Sequence, residues 1–565
     1  MTRRFLQFGT VLGVFIVLLV VATAAVAEED ESTYTDASYD VNLPWVANGV
    51  ETVDSEGMYS TVVVQNLEPA MINVELLVGV GSEGDDWRRR QVVELSAYAS
   101  RTVEARDLGI VAGEGASVRA RGLMNSAGNT FDAENPGEPA RIAAVVKNAG
   151  ATAAERGFTH SDHVQVDGYS GPDEADVAAA AGPQVLPIVQ NNSGWETTIR
   201  LAHFGDREVY GDGPHEVSVA FSAAGTDLPG SSVIHRTFEI NPGEVTTITL
   251  TEILDRTEWV GSAVVSADVP IGAIAERSKL EDRMLVTNLA RPEQRDVTTQ
   301  YAPLIFRDYH DWNTGIAIAN TDSERDNTVE VTYFGPDRSV EGTDSVIIAP
   351  GGMNFIHNPA RGDGSEGGFV GSARLTGTTS FQAVVDQVKY AGDDLGTAQG
   401  MSYVLEHTPA RWSAPAQDGQ ERTIDLTSTL LALPLVQRGD PETSAGQDNS
   451  GIQLFNTSGE HSIRLEIMFH DAGGDPIPPT ISESRRSPIL ITLGPNQSYT
   501  LYTPDLQGFP TGFRGSAIIE ITGGDGGVVG ISNNVNYGVR GDGSAAFSLI
   551  RVPGAADIGD IVGEP

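Results

Sequence analysis

His160-x-Asp162-His163 is the densest metal-ligand pattern in this chain: two imidazoles and a carboxylate suit a transition metal wherever a rigid frame aims them at one point. A flexible segment supplies no such frame, and the surrounding residues are Ala, Gly and acids. Asp322, Glu324 and Asp326 lie in the run Asp322-Ser323-Glu324-Arg325-Asp326-Asn327, and a second acidic run spans Asp440 to Asn449. Either run offers several hard oxygens to calcium, the one cofactor the composition suggests, although neither has the spacing of a defined calcium loop. Trp195 and Trp312 follow matching prolines at nearly equal distance; each could stack on a sugar ring, but recurrence at equivalent positions favours core packing. Three Arg-Gly-Asp tripeptides, beginning at Arg361, Arg438 and Arg540, are adhesive in form, yet they occupy unrelated places and consist of ordinary turn residues. Asn191, Asn456 and Asn496 begin Asn-x-Ser/Thr sequons or sit within them.

Catalytic signatures are missing from the sequence. It contains no Gly-x-Ser-x-Gly elbow, no His-Glu-x-x-His and no phosphate-cradling Gly-x-x-x-x-Gly-Lys, and its 10 histidines are scattered. With no cysteine, a thiol nucleophile, a Cys-ligated zinc and a lipid-modified cysteine anchor are excluded. A carboxylate pair for glycoside hydrolysis stays open, because 77 acidic residues form many pairs whose spacing in sequence says little about space. The net charge of −41 argues against nucleic acid and anionic lipid as partners, since both require a cationic surface. Only Lys147, Lys279 and Lys389 are lysines among 36 basic residues, a balance that a saline habitat or a lysine-poor genome would each produce.

The elements that must position these residues are strands. Four times a Pro-containing apolar run opens a segment that closes on a Gly-Ser-Ala-like strand: Leu43-Pro44 to Gly115, Leu186-Pro187 to Gly261, Ala302-Pro303 to Gly371 and Leu433-Pro434 to Gly515. The separation is about 70 to 80 residues each time, and a period above 100 between repeats implies domains in a row and not a solenoid of short units. Alternation in Val329-Glu330-Val331-Thr332-Tyr333 and Ile463-Arg464-Leu465-Glu466-Ile467 reads as half-buried antiparallel strand. Asn241-Pro242-Gly243, Ala349-Pro350-Gly351 and Gly494-Pro495-Asn496 mark the same hairpin turn in three repeats; the first repeat lacks it at 97–100. The expectation is an all-β chain, a tandem array of about four immunoglobulin-like antiparallel β-sandwiches, seven strands or so in each, behind an N-terminal signal helix. The boundaries read as signal peptide 1–27, sandwich 40–150 (divergent), acidic Ala/Gly-rich linker 151–182, sandwiches 183–298 and 299–408, linker 409–428, sandwich 429–553 and disordered tail 554–565.

Arg3-Arg4, an apolar run and Ala25-Val26-Ala27 before Glu28 form an export signal cleaved after Ala27. The alternative is an uncleaved anchor over 5–27, the only way this reading brings the chain to a membrane. Leu-Pro-x-Val, then Asn191-Asn192-Ser193-Gly194-Trp195-Glu196-Thr197, an alternating strand, a Pro-Gly turn and Gly261-Ser262-Ala263-Val264-Val265-Ser266 together resemble the tandem β-sandwich repeat proteins of the bacterial cell surface and secretome. That resemblance implies an exported sandwich array and carries no catalytic motif. The expected function is a secreted or cell-surface structural or adhesive protein without catalytic activity, contacting envelope components or extracellular polysaccharide. A carbohydrate-binding array is the alternative reading, and an extracellular hydrolase is the third.

Overall fold

The computed structural model describes residues 40–51, 57–82, 85–124, 138–151, 160–164, 183–225, 233–254, 257–279, 284–293, 297–357, 368–390, 398–407, 410–411, 430–439, 448–477, 488–536 and 543–552. All belong to one compact unit within Ala37–Pro565. The chain is all-β, with several antiparallel sheets, and among the described residues the helices are single turns such as Arg207–Tyr210 and Leu250–Leu254. In the second repeat one sheet runs Ile234–Ile240, His215–Ala223, Val260–Ala267, Gln184–Gln190 and Arg291–Pro292, while the other runs Val245–Thr249, Trp195–His203, Ile271–Lys279 and Met284–Leu289. The third and fourth repeats repeat this order of pairing. In the first, the opening strand Asp40–Val50 pairs with both Glu114–Met124 and Gly57–Asn66, which merges the two layers into one nine-stranded sheet.

Each recurrent sequence feature has a backbone cause. The opening strand slips register across the proline pair in all four repeats, between Leu43 and Val46, Leu186 and Val189, Ala302 and Ile305, and Leu433 and Val436. Proline has no N–H to give to the ladder, so it sits in a bulge. Three residues beyond it, the N–H of Ala47, Gln190, Phe306 and Gln437 donates to the hydroxyl of Ser60, Thr197, Thr314 and Ser450, at 2.7–2.9 Å. The closing-strand glycine lies beneath an aromatic ring: Trp45 over Gly115, Trp259 over Gly261, Phe369 over Gly371 and Phe513 over Gly515. A Cβ at any of these would overlap the ring, and at the last three a neighbouring carbonyl too, which is why glycine recurs there.

A second set of repeated residues escaped the sequence reading. Asn66, Asn320 and Asn456 end the second strand of their repeats, fully or almost fully buried. The amide of each donates to three carbonyls of the following turns, as Asn456 does to His461, Leu493 and Gly494, and its oxygen accepts the N–H two residues on. In the second repeat His203 takes this place, with Nδ1 accepting the Gly205 N–H at 2.9 Å. The lock is dispersed in sequence, so periodicity could not find it.

Packing does not stop at repeat boundaries. Ile274, Leu285 and Leu289 of the second repeat join the first repeat's core; Val63 and Val145 of the first join the fourth's; Ile531 and Ala546 of the fourth join the third's. Val185 and Ile188 meet Ala317, Met353 and Val384 between second and third. The opening strand of each repeat packs on the next repeat's second sheet, and that of the fourth, Leu430–Arg438, packs on Gly57–Asn66 and Ile142–Ala151 of the first. Contacts between repeats therefore close in a cycle, where the sequence suggested a row. At its centre the last strands meet in order: His160–Val164 against Met284–Leu289, that against Gln399–Val404, that against Ser544–Ser548, and the last against His160–Val164 again. All residues of 284–289, 399–404 and 544–548 are buried. Two segments read as linkers thus contain strand: His160–Val164 pairs with Ile142–Ala151, and Ala410–Arg411 pairs with Gly527–Val535. Their few apolar residues gave no alternating pattern to detect.

Candidate functional site

Four joints, built alike, hold the cycle together, and the third differs from the others where a ligand could enter. The hairpin turn of one repeat docks on the repeat before it: the Gly243 carbonyl accepts Ser117 Oγ at 3.1 Å, the Met353 carbonyl accepts the Gly225 N–H at 3.1 Å, Arg338 covers Gly494, and the Tyr98 carbonyl accepts Ser516 Oγ at 3.2 Å. The Pro-Gly turns legible in the sequence are docking elements, and 97–100 performs the same task in the first repeat without proline or glycine.

Among the described residues, charged side chains meet across three of the joints. Arg119 of the first repeat lies 4.4 Å from the Trp87 ring centre and pairs with Asp206 of the second at 3.1 Å, while Arg200 of the second lies 3.8 Å over the Trp45 ring. Arg277 of the second, 1% exposed, binds both oxygens of Asp386 in the third. Lys147 of the first pairs with Asp448 of the fourth. By strand register Lys147, Glu276, Asp386 and Asn533 are equivalent, lying opposite Thr61, Thr198, Gly315 and Gly451. Arg277 corresponds to Gln387, opposite Thr197 and Thr314. The third joint therefore carries neutral amides, Gln387 and Asn533, where the second has an Arg–Asp pair. The carbonyl oxygens of both are buried with no hydrogen-bond partner.

A cavity of about 240 Å³ occupies this place, lined by Phe306, Tyr309, His310, Trp312, Lys389, Met401 and, from the fourth repeat, Asn533. Tyr309 stacks on Phe306 with ring centres 5.6 Å apart and planes 7° from parallel; Trp312 lies 6.0 Å from Phe306. The loop carrying them holds Asp308, His310 and Asp311 at φ of 50°, 50° and 69°, left-handed values that side chains bearing a Cβ adopt at a cost. It is fixed by paired backbone bonds between Tyr309 and Trp312, by the Asp308 N–H to Asn313 Oδ1 at 3.0 Å, and by Lys389 Nζ to the His310 carbonyl at 3.0 Å. Lys389 also stands 3.6 Å from the Asp311 carboxylate, so the cation is already matched.

The sequence candidates divide clearly. Trp312 is 3% exposed and belongs to the third core, with its ring also bordering the cavity; Trp195 is half-buried against Met284 and Ala398. Asp322 caps a turn, accepting the N–H of Glu324 and Arg325 and the Arg325 guanidinium; the Glu324 N–H first, then Arg325, hold its carboxyl below the usual range. Glu324 and Asp326 form no cluster with it: among the described residues no group of three His, Cys, Asp or Glu is placed to hold a metal. The backbone of His160, Asp162 and His163 is strand, and their side chains lie outside what is described. Arg438 donates to the carbonyls of Leu506 and Phe509, which turns it inward; the tripeptides at 361–363 and 540–542 lie outside the described residues, as do 440–447, the segment 1–27 expected to be a signal and the segment 554–565 expected to be a tail. Asn191 and Asn456 are buried and hydrogen-bonded, closed to a glycosyl transferase in the folded chain. No protein-family model matches the chain, and no curated protein matches it.

Proposed function

We propose that this chain is an exported protein of the cell surface or extracellular space, structural or adhesive in role and without catalytic activity, made of four immunoglobulin-like sandwiches. The observation supporting it is the cyclic packing: the residues shared by all four repeats serve bulges, turn locks and joints, so what recurs maintains a single stiff body. Such a body displays its loops in a constant arrangement and resists proteases, because a chain packed on both neighbours has few low-energy openings. Export rests on the 1–27 segment. Among the described residues no helix is long and apolar enough to cross a membrane.

Fractionation of a producing culture tests this reading. The expected result is recovery in the medium or a surface wash with Glu28 as the first residue by mass spectrometry; an intact Met1 in the membrane fraction selects the uncleaved anchor, and a cytoplasmic chain overturns the proposal.

A further inference from the structure

The buried lock that ends the second strand differs in chemistry in one repeat. Asn66, Asn320 and Asn456 carry amides that do not titrate, whereas His203 fills the same place with an imidazole and is fully buried. Its Nδ1 accepts the Gly205 N–H at 2.9 Å, so the neutral ring carries its hydrogen on Nε2. A second proton has only Nδ1 to occupy, and there it would meet the Gly205 N–H, donor against donor. We propose that protonation of His203 is an acid switch that releases the joint between the first and second repeats and so opens the cycle.

The segment that His203 holds down is the one that makes this joint. The Phe204 carbonyl accepts from Arg119 of the first repeat, the Phe204 ring stacks on Trp87 with centres 5.7 Å apart, and Asp206 pairs with Arg119. On its other side, the His203 N–H donates to the Glu244 carbonyl and the His203 carbonyl accepts the Gly243 N–H, each at 3.0 Å, which fixes the turn whose Gly243 carbonyl receives Ser117 Oγ. The groups around the ring do not welcome a cation. His215 and Tyr210 lie 5.0 and 6.5 Å away between ring centres, and His203 Nε2, His215 Nε2 and Tyr210 Oη are all buried without a hydrogen-bond partner. Arg119 and Arg207 bring further positive charge, Asp206 is already bonded to Arg119, the Glu244 carboxylate is bonded to Asn241, and in the sheet His203 stands opposite the apolar Ile271. Burial first, then His215, holds the imidazole at about 3 against 6.5 for the free side chain. Once the 204–210 segment lifts, the ring reaches water and takes up its proton near the free value, so acid draws the joint open below pH 6.5 and leaves it closed above.

The switch does not depend on where the protein resides, and its test is separate from the fractionation above. Hydrogen exchange on the purified full chain, expressed as protection factors so that the pH dependence of the intrinsic rate drops out, reads the opening directly. Between pH 7.5 and 5.5, protection at 204–210, 241–244 and 115–121 should fall about tenfold, while protection at 321–327, beside the Asn320 lock, stays constant. His203→Asn keeps an acceptor at the lock without a group that titrates, and should hold protection at the same three segments constant across that range. No fall in the wild type, a fall of equal size at 321–327, or an equal fall in His203→Asn overturns the proposal. Should His203→Asn fail to fold, the contrast between the His203 and Asn320 locks within the wild-type chain decides alone.

Discussion

The Arg277 guanidinium and the Asp386 carboxylate meet as a two-pronged pair, Nη1 to Oδ2 at 2.6 Å and Nη2 to Oδ1 at 2.5 Å, across the second and third repeats. Ser402 Oγ donates to the same carboxylate at 2.8 Å and Asn288 Oδ1 accepts from Arg277 Nε at 3.2 Å, so the charges are paired and further bonded. A buried charge left alone is far costlier than a buried pair. Asp386→Ala should therefore lower stability in urea by about 3–5 kcal/mol, whereas the double change Arg277→Met with Asp386→Leu should cost much less. Equal losses in the single and double variants would show that the pair is not the source.

His203 makes stability depend on acid. Burial first, then the adjacent His215, pushes its imidazole down to about 3, against 6.5 for the free side chain. Below pH 6.5 the unfolded chain takes up a proton that the folded state refuses until about pH 3. Stability should thus fall by about 1.4 kcal/mol per pH unit through that window and be unaffected by this group above it. His203→Asn, which restores the lock residue of the other repeats, should flatten the difference; melting profiles of both chains at several pH values measure it.

Gly515 and Gly315 should respond oppositely to a methyl group. A Cβ on Gly515 would overlap the Phe513 ring and the His470 carbonyl, so Gly515→Ala should destabilise by about 1–3 kcal/mol. Gly315 has nothing within 4 Å of that position, and Gly315→Ala should be neutral or slightly stabilising in the same denaturation assay.

Cycle closure can be opened at one residue. Lys147 and Asp448 are both largely buried where the fourth repeat meets the first, the one joint the chain does not connect directly. Lys147→Glu sets two carboxylates together there, and small-angle scattering should record a larger radius of gyration than for wild type. An unchanged radius would mean that the apolar contacts of Leu67, Ala143, Ala432 and Ile550 suffice alone.

Asn320→Ala removes an amide serving three carbonyls, Arg325, Ile348 and Ala349, within a closed turn. The expected cost is about 1–3 kcal/mol, with hydrogen exchange rising first in the 321–327 and 348–353 backbone. Exchange unchanged there would remove the lock interpretation.

Local features of this protein were legible because they are local. The alternating runs read as strands at 329–333 and 463–467 are observed within Asn327–Phe334 and Ile463–Asp471, since alternation acts over a few residues. Met284–Leu289 went unread because a strand buried on every side shows no alternation. The cycle itself, the joint pairs Arg277–Asp386 and Lys147–Asp448, and the cavity behind Asn533 join residues 109 to 301 or more positions apart, or facing repeats that look equivalent in sequence. Sequence determined that each repeat folds as strands, opening on a proline-containing apolar run and closing on a glycine-led strand. Only the tertiary structure decided that four such units close on one another, because that depends on which side chains meet across surfaces no linear pattern encodes.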